Sequence, residues 1–196
     1  MNADGLQFEE ATHTYRLNGR KLPSVTAVIR DVLAPNEYAN VPAHILKHAA
    51  DRGKAVERMI ELDLHDELDE DSLAPELLSY WQAWRAFPVR AAWRDAECKF
   101  QGFVCHTERG YAGCYDLFIP SERLLIDIKA TAMLPHTVGV QTAAYADAIG
   151  FDGPLTRYCL HVKPDGCRLH PLADKSESAD FLAALRVYNW RLRHDA

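Results

Sequence analysis

Apolar and polar positions alternate from Phe8 to Leu17 and again over Arg20–Leu22, on either side of Asn18-Gly19. Asn-Gly accepts the left-handed dihedrals of a two-residue turn, so this pattern predicts a β-hairpin. Pro23 ends the second strand, and Ser24 supplies an N-cap oxygen for a short helix through Ile29. From Pro42 to Leu64 the period lengthens to a helical one, with Ile45, Leu46, Ala49, Val56, Met59 and Ile60 in register. Gly53 interrupts it and marks a junction or a close backbone approach. Asp66–Asp71 reads as a loop, and Ser72 opens a second helix whose stripe is Leu77, Leu78, Trp81, Trp84 and Phe87, ended by Pro88.

The period then falls to two. Trp93–His106, Tyr111–Ile119 and Leu124–Ala130 read as three strands, joined by turns at Arg109-Gly110 and at residues 120–123. A helix follows Pro135 and stops at Gly150. Two strands, Arg157–Val162 and Cys167–Leu172, flank the Pro164-Asp165-Gly166 turn. The last helix, Ser178–Arg193, carries Phe181, Leu182, Leu185, Tyr188 and Leu192 inward, and Trp190 packs with it. The order implies an α/β or α+β chain with a mixed central sheet flanked by helices. It is read as a single domain over residues 1–196, with residues 1–40 as an N-terminal appendage to a core of residues 41–196.

At 196 residues the chain buries enough surface to need no disulfide or metal staple. Its longest apolar runs are as short as Leu124-Leu125-Ile126, and the N-terminus lacks the layout of a secretory signal, so a cytoplasmic protein with no membrane contact is expected. Cys98, Cys105, Cys114, Cys159 and Cys167 are odd in number and lack C-x-x-C spacing, which argues for reduced thiols and against zinc. The net charge is −6, yet residues 57–76 alone hold nine acids and only Arg58. That local −8 leaves +2 for the rest, so the overall acidity does not exclude a polyanionic partner.

Two strands carry charges where apolar residues belong. In Leu124–Ala130, Asp127 and Lys129 share a face with Leu125; in Tyr111–Ile119, Asp116 sits among apolar neighbours. Such charges are costly inside a core unless paired or bound to something. A hairpin turn at residues 120–123 sets Asp116 close to Asp127. Two carboxylates so near repel unless a cation lies between them, and with water completing the shell the set suits Mg²⁺ or Mn²⁺. Lys129 adds an ammonium beside the ion, placed to orient or deprotonate water or to offset charge on a phosphate. Gly113 leaves room for another backbone to approach.

The set Gly113-x-x-Asp116, Asp127-x-Lys129 and Gln141-x-x-x-Tyr145 resembles the PD-(D/E)XK nuclease superfamily, and within it the RecB-like and lambda-type exonuclease branch. The opening hairpin with Pro23-Ser24-Val25-Thr26 resembles stand-alone phage and prophage nucleases. The resemblance implies a restriction-endonuclease-like fold and a metal-dependent nuclease hydrolysing phosphodiester bonds in DNA, an exonuclease of recombination, repair or phage DNA processing. It implies one or two Mg²⁺ or Mn²⁺ held by Glu57, Asp116, Asp127 and the Ile128 carbonyl. Lys129 would activate water, Gln141 position Lys129 or the phosphate, and Tyr145 support the DNA backbone contact. Glu57 closes Arg52-Gly53-Lys54-Ala55-Val56-Glu57 where the branch usually has histidine, which favours Mg²⁺. The proline of the superfamily's name is absent, Tyr115 standing before Asp116.

Glu61, one turn on from Glu57, and Glu97 on the first strand are competing ligand candidates, Glu61 read rather as part of the solvated acidic face and Glu97 as a sheet-edge ion pair. Arg52, Lys54, Lys99 and the C-terminal Arg186, Arg191 and Arg193 are the candidates for phosphate contact, solvated charge being the commoner role, and His106, His136 and His161 lack ligand spacing. Two late cysteines are too few for the iron–sulfur cluster of some relatives. The implied partners are single- or double-stranded DNA and a recombinase or single-strand-binding protein, in a bacterial or phage-infected cell. The alternative is a catalytically inactive module of the same fold that binds nucleic acid or a partner.

Overall fold

Asn18 and Gly19 both take positive φ, at 50° and 81°, and turn strand β2 (Thr14–Leu17) into β3 (Arg20–Leu22). The stretch expected as one strand before that turn is two. A turn at Glu10–Thr12 folds β1 (Leu6–Glu9) back on β2, so Phe8 pairs with Tyr15 and the hairpin becomes a three-strand antiparallel sheet. The computed structural model describes residues 4–194.

Ser24 accepts a hydrogen bond from Ala27 N at 3.0 Å and caps α1 (Val25–Val28), which runs on into a π-type turn at Ile29–Leu33. Within the stretch expected as an appendage, Val25 and Val28 are fully buried against Tyr111, Tyr145 and Phe181. Ala112 N donates to Pro23 O at 3.0 Å, stitching the segment to the central sheet.

Helix α2 (Ala43–Leu64) runs unbroken through Gly53, where a Cβ would meet nothing, so neither a junction nor a close approach explains that glycine. The helix expected from Ser72 begins later. Pro75 suits only a first turn, so short turns at Glu70–Ser72 and Pro75–Leu77 precede α3 (Leu78–Arg85). Trp93, expected in a strand, lies instead in α4 (Arg90–Arg94), where its ring fills the core beside Trp84 and Phe87.

The acidic stretch is less solvated than its sequence implies. Asp63 is buried, accepts from Trp84 Nε1 at 2.7 Å and pairs with Arg90 through Nε at 2.6 Å and through Nη2. Arg94 pairs with Asp66 and Arg85 with Glu70, so arginines of α3 and α4 fasten onto the segment that follows α2.

The central sheet has the order β4 (Lys99–His106), β5 (Tyr111–Ile119), β6 (Leu124–Lys129), β7 (Thr156–Lys163), β8 (Gly166–Pro171). Only β6 and β7 are parallel, bridged by α5 (Val138–Ile149), which Gly150 ends at φ 58°. One face packs on α1, α5 and α6 (Glu177–His194) through Leu125, Ala144 and Phe181; the other packs on α2, α3 and α4 through Ile126, Ile128 and Trp84. The molecule is thus a mixed α/β protein with a three-strand antiparallel sheet and a helix-flanked five-strand sheet. On α6, Leu192 and Trp190 are 58% and 53% exposed rather than inward, and Trp190 stacks on His194. No helix among the described residues is long and apolar enough to cross a membrane.

Candidate functional site

The sheet loses its regularity at one rung. Tyr115 and Phe118 belong to the core on one side of the sheet, Leu117 and Ile119 to the core on the other, so the alternation of β5 slips at Asp116. On β4 the opposite residue, Gln101, takes φ 49°, and the pairing that joins Gly102 to Tyr115 and Phe100 to Leu117 skips the rung between them. The β5–β6 ladder stops at Leu117–Ile126, one step short of Asp116 facing Asp127. The Asp116 carboxylate takes over, its Oδ2 accepting from Ile128 N at 2.8 Å. An irregularity of this kind re-aims a side chain that a regular strand would commit to one face.

Around that rung the fold gathers four charged groups. Asp127, only 2% exposed, has Oδ2 at 2.6 Å from Lys129 Nζ, while its Oδ1 is buried with no hydrogen-bond partner among the described residues. Glu57 reaches in from α2 and accepts from Gln101 Nε2 at 3.4 Å. Burial raises the Glu57 carboxyl to about 8, with Asp116 and Asp127 adding repulsion that Lys129 partly offsets. Burial likewise lifts Asp127 to about 7, against the pull of Lys129, and raises Asp116. Burial opposes the charge on Lys129, but Asp127, Asp116 and Glu57 outweigh it and hold the ammonium protonated above its ordinary range.

A carboxyl with a raised folded pKa holds its proton longer folded than unfolded, so its contribution is full below about pH 4 and is lost as pH rises towards 8. The chain in a chelating buffer is therefore expected to lose on the order of 2 kcal/mol between about pH 5 and pH 8. Mn²⁺ at the upper pH should restore most of it, as followed by thermal denaturation monitored by circular dichroism.

Gln141 and Tyr145 lie one turn apart on α5, where Gln141 Nε2 donates to Tyr145 Oη at 3.2 Å. Tyr145 is buried against Gly113, whose missing side chain accommodates a ring rather than the backbone expected there. A methyl at Gly113 would overlap Tyr145 Cε1 and lie 3.3 Å from Val25 Cγ2. Gly113→Ala is expected to cost about 1–3 kcal/mol by overpacking and to weaken any activity that depends on Tyr145, read by urea unfolding beside an activity assay.

Beside this cluster opens a cleft of about 500 Å³, with Glu57, Gln101 and Cys114 on the side nearest the carboxylates. Lys54, Glu57, Arg58 and Glu61 form the α2 wall, as their one-turn spacing dictates. Glu61 pairs with Arg58 at 2.7 Å. Arg52 stands off this face, half-buried, its Nε without a hydrogen-bond partner among the described residues. Glu97 forms an exposed pair with Lys99 at 3.3 Å. His161 is buried with Nε2 at 2.7 Å from Thr131 O, and His136 is exposed. All five cysteines are free.

Neither a protein-family model nor a curated protein matches the chain. Among solved structures it is similar to the crystal structure of SSO0001, with a TM-score of 0.46 and 12% identity over 83% of this chain and 72% of that one.

No group of three or more His, Cys, Asp or Glu side chains among the described residues stands in metal-binding arrangement. Lys129 occupies the space beside Asp127, and Asp116 is turned onto the β6 backbone. The donor set nevertheless fits a hard divalent ion: its oxygens are carboxylates, one of them is buried and unpartnered, and burial disfavours the charge on each. Gln101 escaped the sequence reading. The signal was Gly102 within a strand pattern, where a Cβ would collide with the Tyr115 ring.

Proposed function

We propose that the chain is a metal-dependent nuclease of the PD-(D/E)XK superfamily, RecB-like and lambda-type branch, with a restriction-endonuclease-like core. Its reaction would be hydrolysis of phosphodiester bonds in DNA, as an exonuclease of recombination, repair or phage DNA processing. The observation that carries this reading is the buried Asp116–Asp127–Lys129 cluster, faced by Glu57, at the one rung where both ladders of β5 are interrupted. A structural protein gains nothing from burying an unpartnered carboxylate oxygen there.

Bound Mg²⁺ or Mn²⁺, one or two ions held by Glu57, Asp116, Asp127 and the Ile128 carbonyl, would supply Lewis-acid charge to the phosphate and lower the pKa of water. The chain's own part is positioning. Lys129, tethered to Asp127 and fully protonated, donates to the attacking water or to a phosphate oxygen and offsets the charge that develops on phosphorus. Gln141 holds the Tyr145 hydroxyl, and the buried Tyr145 ring keeps that face of α5 against β5. Lys54, at the cleft rim, is the cation best placed for a phosphate. A recombinase or single-strand-binding protein, in the cytoplasm of a bacterial or phage-infected cell, belongs to this reading as partner.

A second reading, the inactive binding module, draws on the ammonium seated beside Asp127 and on carboxylates not gathered to one point. End-labelled single- and double-stranded DNA incubated with the purified chain and Mg²⁺ or Mn²⁺ decides between them. Metal-dependent shortening of the label supports the nuclease, whereas retention of DNA on a gel without cleavage supports the module.

A further inference from the structure

The three-strand N-terminal sheet forms the far wall of the 500 Å³ cleft, and that wall is aromatic. Phe8 and Tyr15 of that sheet cluster with Phe103 of β4, centroids 4.7–6.2 Å apart, and the exposed His13 ring stands edge-on to Phe8 at 5.1 Å. His13 is held there in a left-handed backbone conformation, φ 48° and ψ 44°, by the turn that splits β1 from β2. Apart from Lys54 the charges do not suit a phosphate: Glu10, Glu57 and Glu61 line the cleft, and its other cation, Arg58, is already paired with Glu61. They do suit a flat, uncharged ring whose exocyclic amine donates to a carboxylate.

We infer that the cleft between the N-terminal sheet and α2 takes an unpaired nucleobase, face-on to one of the perpendicular Phe8 and His13 rings and edge-on to the other, and donating an amine hydrogen to Glu10 or Glu61. Glu57 lines both the cleft and the carboxylate cluster, so this base is the neighbour of the phosphate at Lys129; the inference rests on the nuclease reading for that adjacency. The substrate class is then a strand with a single-stranded end, and amino-bearing bases are preferred to thymine. A blunt duplex cannot place a base there without opening its last pair.

The test uses the full chain carrying Asp127→Asn, so that bound strands stay intact, and single-stranded DNA in which 2-aminopurine replaces one base at a time. The same sequences as RNA and as blunt duplex form the other arms. Fluorescence quenching confined to one or two adjacent positions is expected on single strands and not on blunt duplex. Adding Phe8→Leu or His13→Asn should abolish that quenching and weaken binding about 5- to 10-fold. Leucine keeps the apolar packing and asparagine tolerates the left-handed backbone, so both variants fold, as melting curves check. Equal quenching on RNA and DNA assigns the cleft to the base whatever the sugar; quenching on DNA alone assigns it to a deoxynucleotide. Quenching that is uniform along the strand, or unchanged in both variants, overturns the inference. Cleavage by the parent chain with Mn²⁺, run in parallel, separates the two ideas. Cleavage without localised quenching removes the cleft assignment alone, and localised quenching without cleavage keeps the base site on a binding module.

Discussion

Asp127→Asn is expected to lower DNA cleavage by about a hundred- to a thousandfold while leaving a folded chain. The substitution keeps the shape of the side chain and removes the anion that both holds Lys129 at 2.6 Å and offers a free buried oxygen. Burial already disfavours that anion, lifting its carboxyl to about 7, so a neutral amide relieves the metal-free fold of an electrostatic cost. Asp116 and Glu57 remain to balance the ammonium. Activity and stability should therefore part company: turnover collapses, measured by steady-state kinetics on a labelled oligonucleotide, and the thermal midpoint holds or rises. A purely structural carboxylate would show the reverse.

Asp63→Ala is expected to do the opposite, destabilising by about 3–5 kcal/mol with its first effect on the fold. It strands the Arg90 guanidinium, 19% exposed, and leaves the Trp84 indole N–H without its acceptor in a sealed core. For a chain of this length the loss corresponds to a fall in melting temperature of about 6–20 °C. Asp63→Ala combined with Arg90→Ala should cost less than the sum of the single changes, because the stranded charge is then gone. Asp63 lies less than two turns beyond Glu57 on α2, so the same variant should also loosen Glu57 and weaken metal binding. Calorimetric melting of the four chains of the cycle measures the first effect.

Local chemistry made much of this architecture readable. Asn18-Gly19 marked a turn because only a residue pair tolerant of positive φ fits there, and Ser24 marked a helix start through the oxygen that meets Ala27 N. The alternation of Leu124–Lys129 carried into the structure with Leu125 and Ile126 on opposite faces. What escaped reading was set by contacts distant in sequence. Trp93 follows two alanines and goes helical because its ring completes a cluster with Trp84 and Phe87, which no local pattern records. The Glu10–Thr12 turn breaks an alternating run because Phe8 gains Tyr15 and Phe103 as neighbours. The acidity of residues 57–76 read as solvated, since a sequence does not say that Arg90 and Arg94 fold back upon it. At the candidate site the acids and the lysine stood out as charges inside β-forming runs. The slip at Gln101 and Asp116, which aims one of them at the Ile128 amide, depends on two strands meeting and could not.

The proposed function requires Glu57, Asp116 and Asp127 to hold a divalent ion beside Lys129. Titration of Mn²⁺ into the chain by calorimetry, near neutral pH in two buffers of different ionisation enthalpy, measures that binding. With the Glu57 and Asp127 carboxyls raised to about 8 and about 7, binding should expel on the order of one proton per chain. Both the heat and the proton release should vanish in Asp116→Asn and in Asp127→Asn. Absence of Mn²⁺ binding to the parent chain, or binding that persists unchanged in both variants, would contradict it.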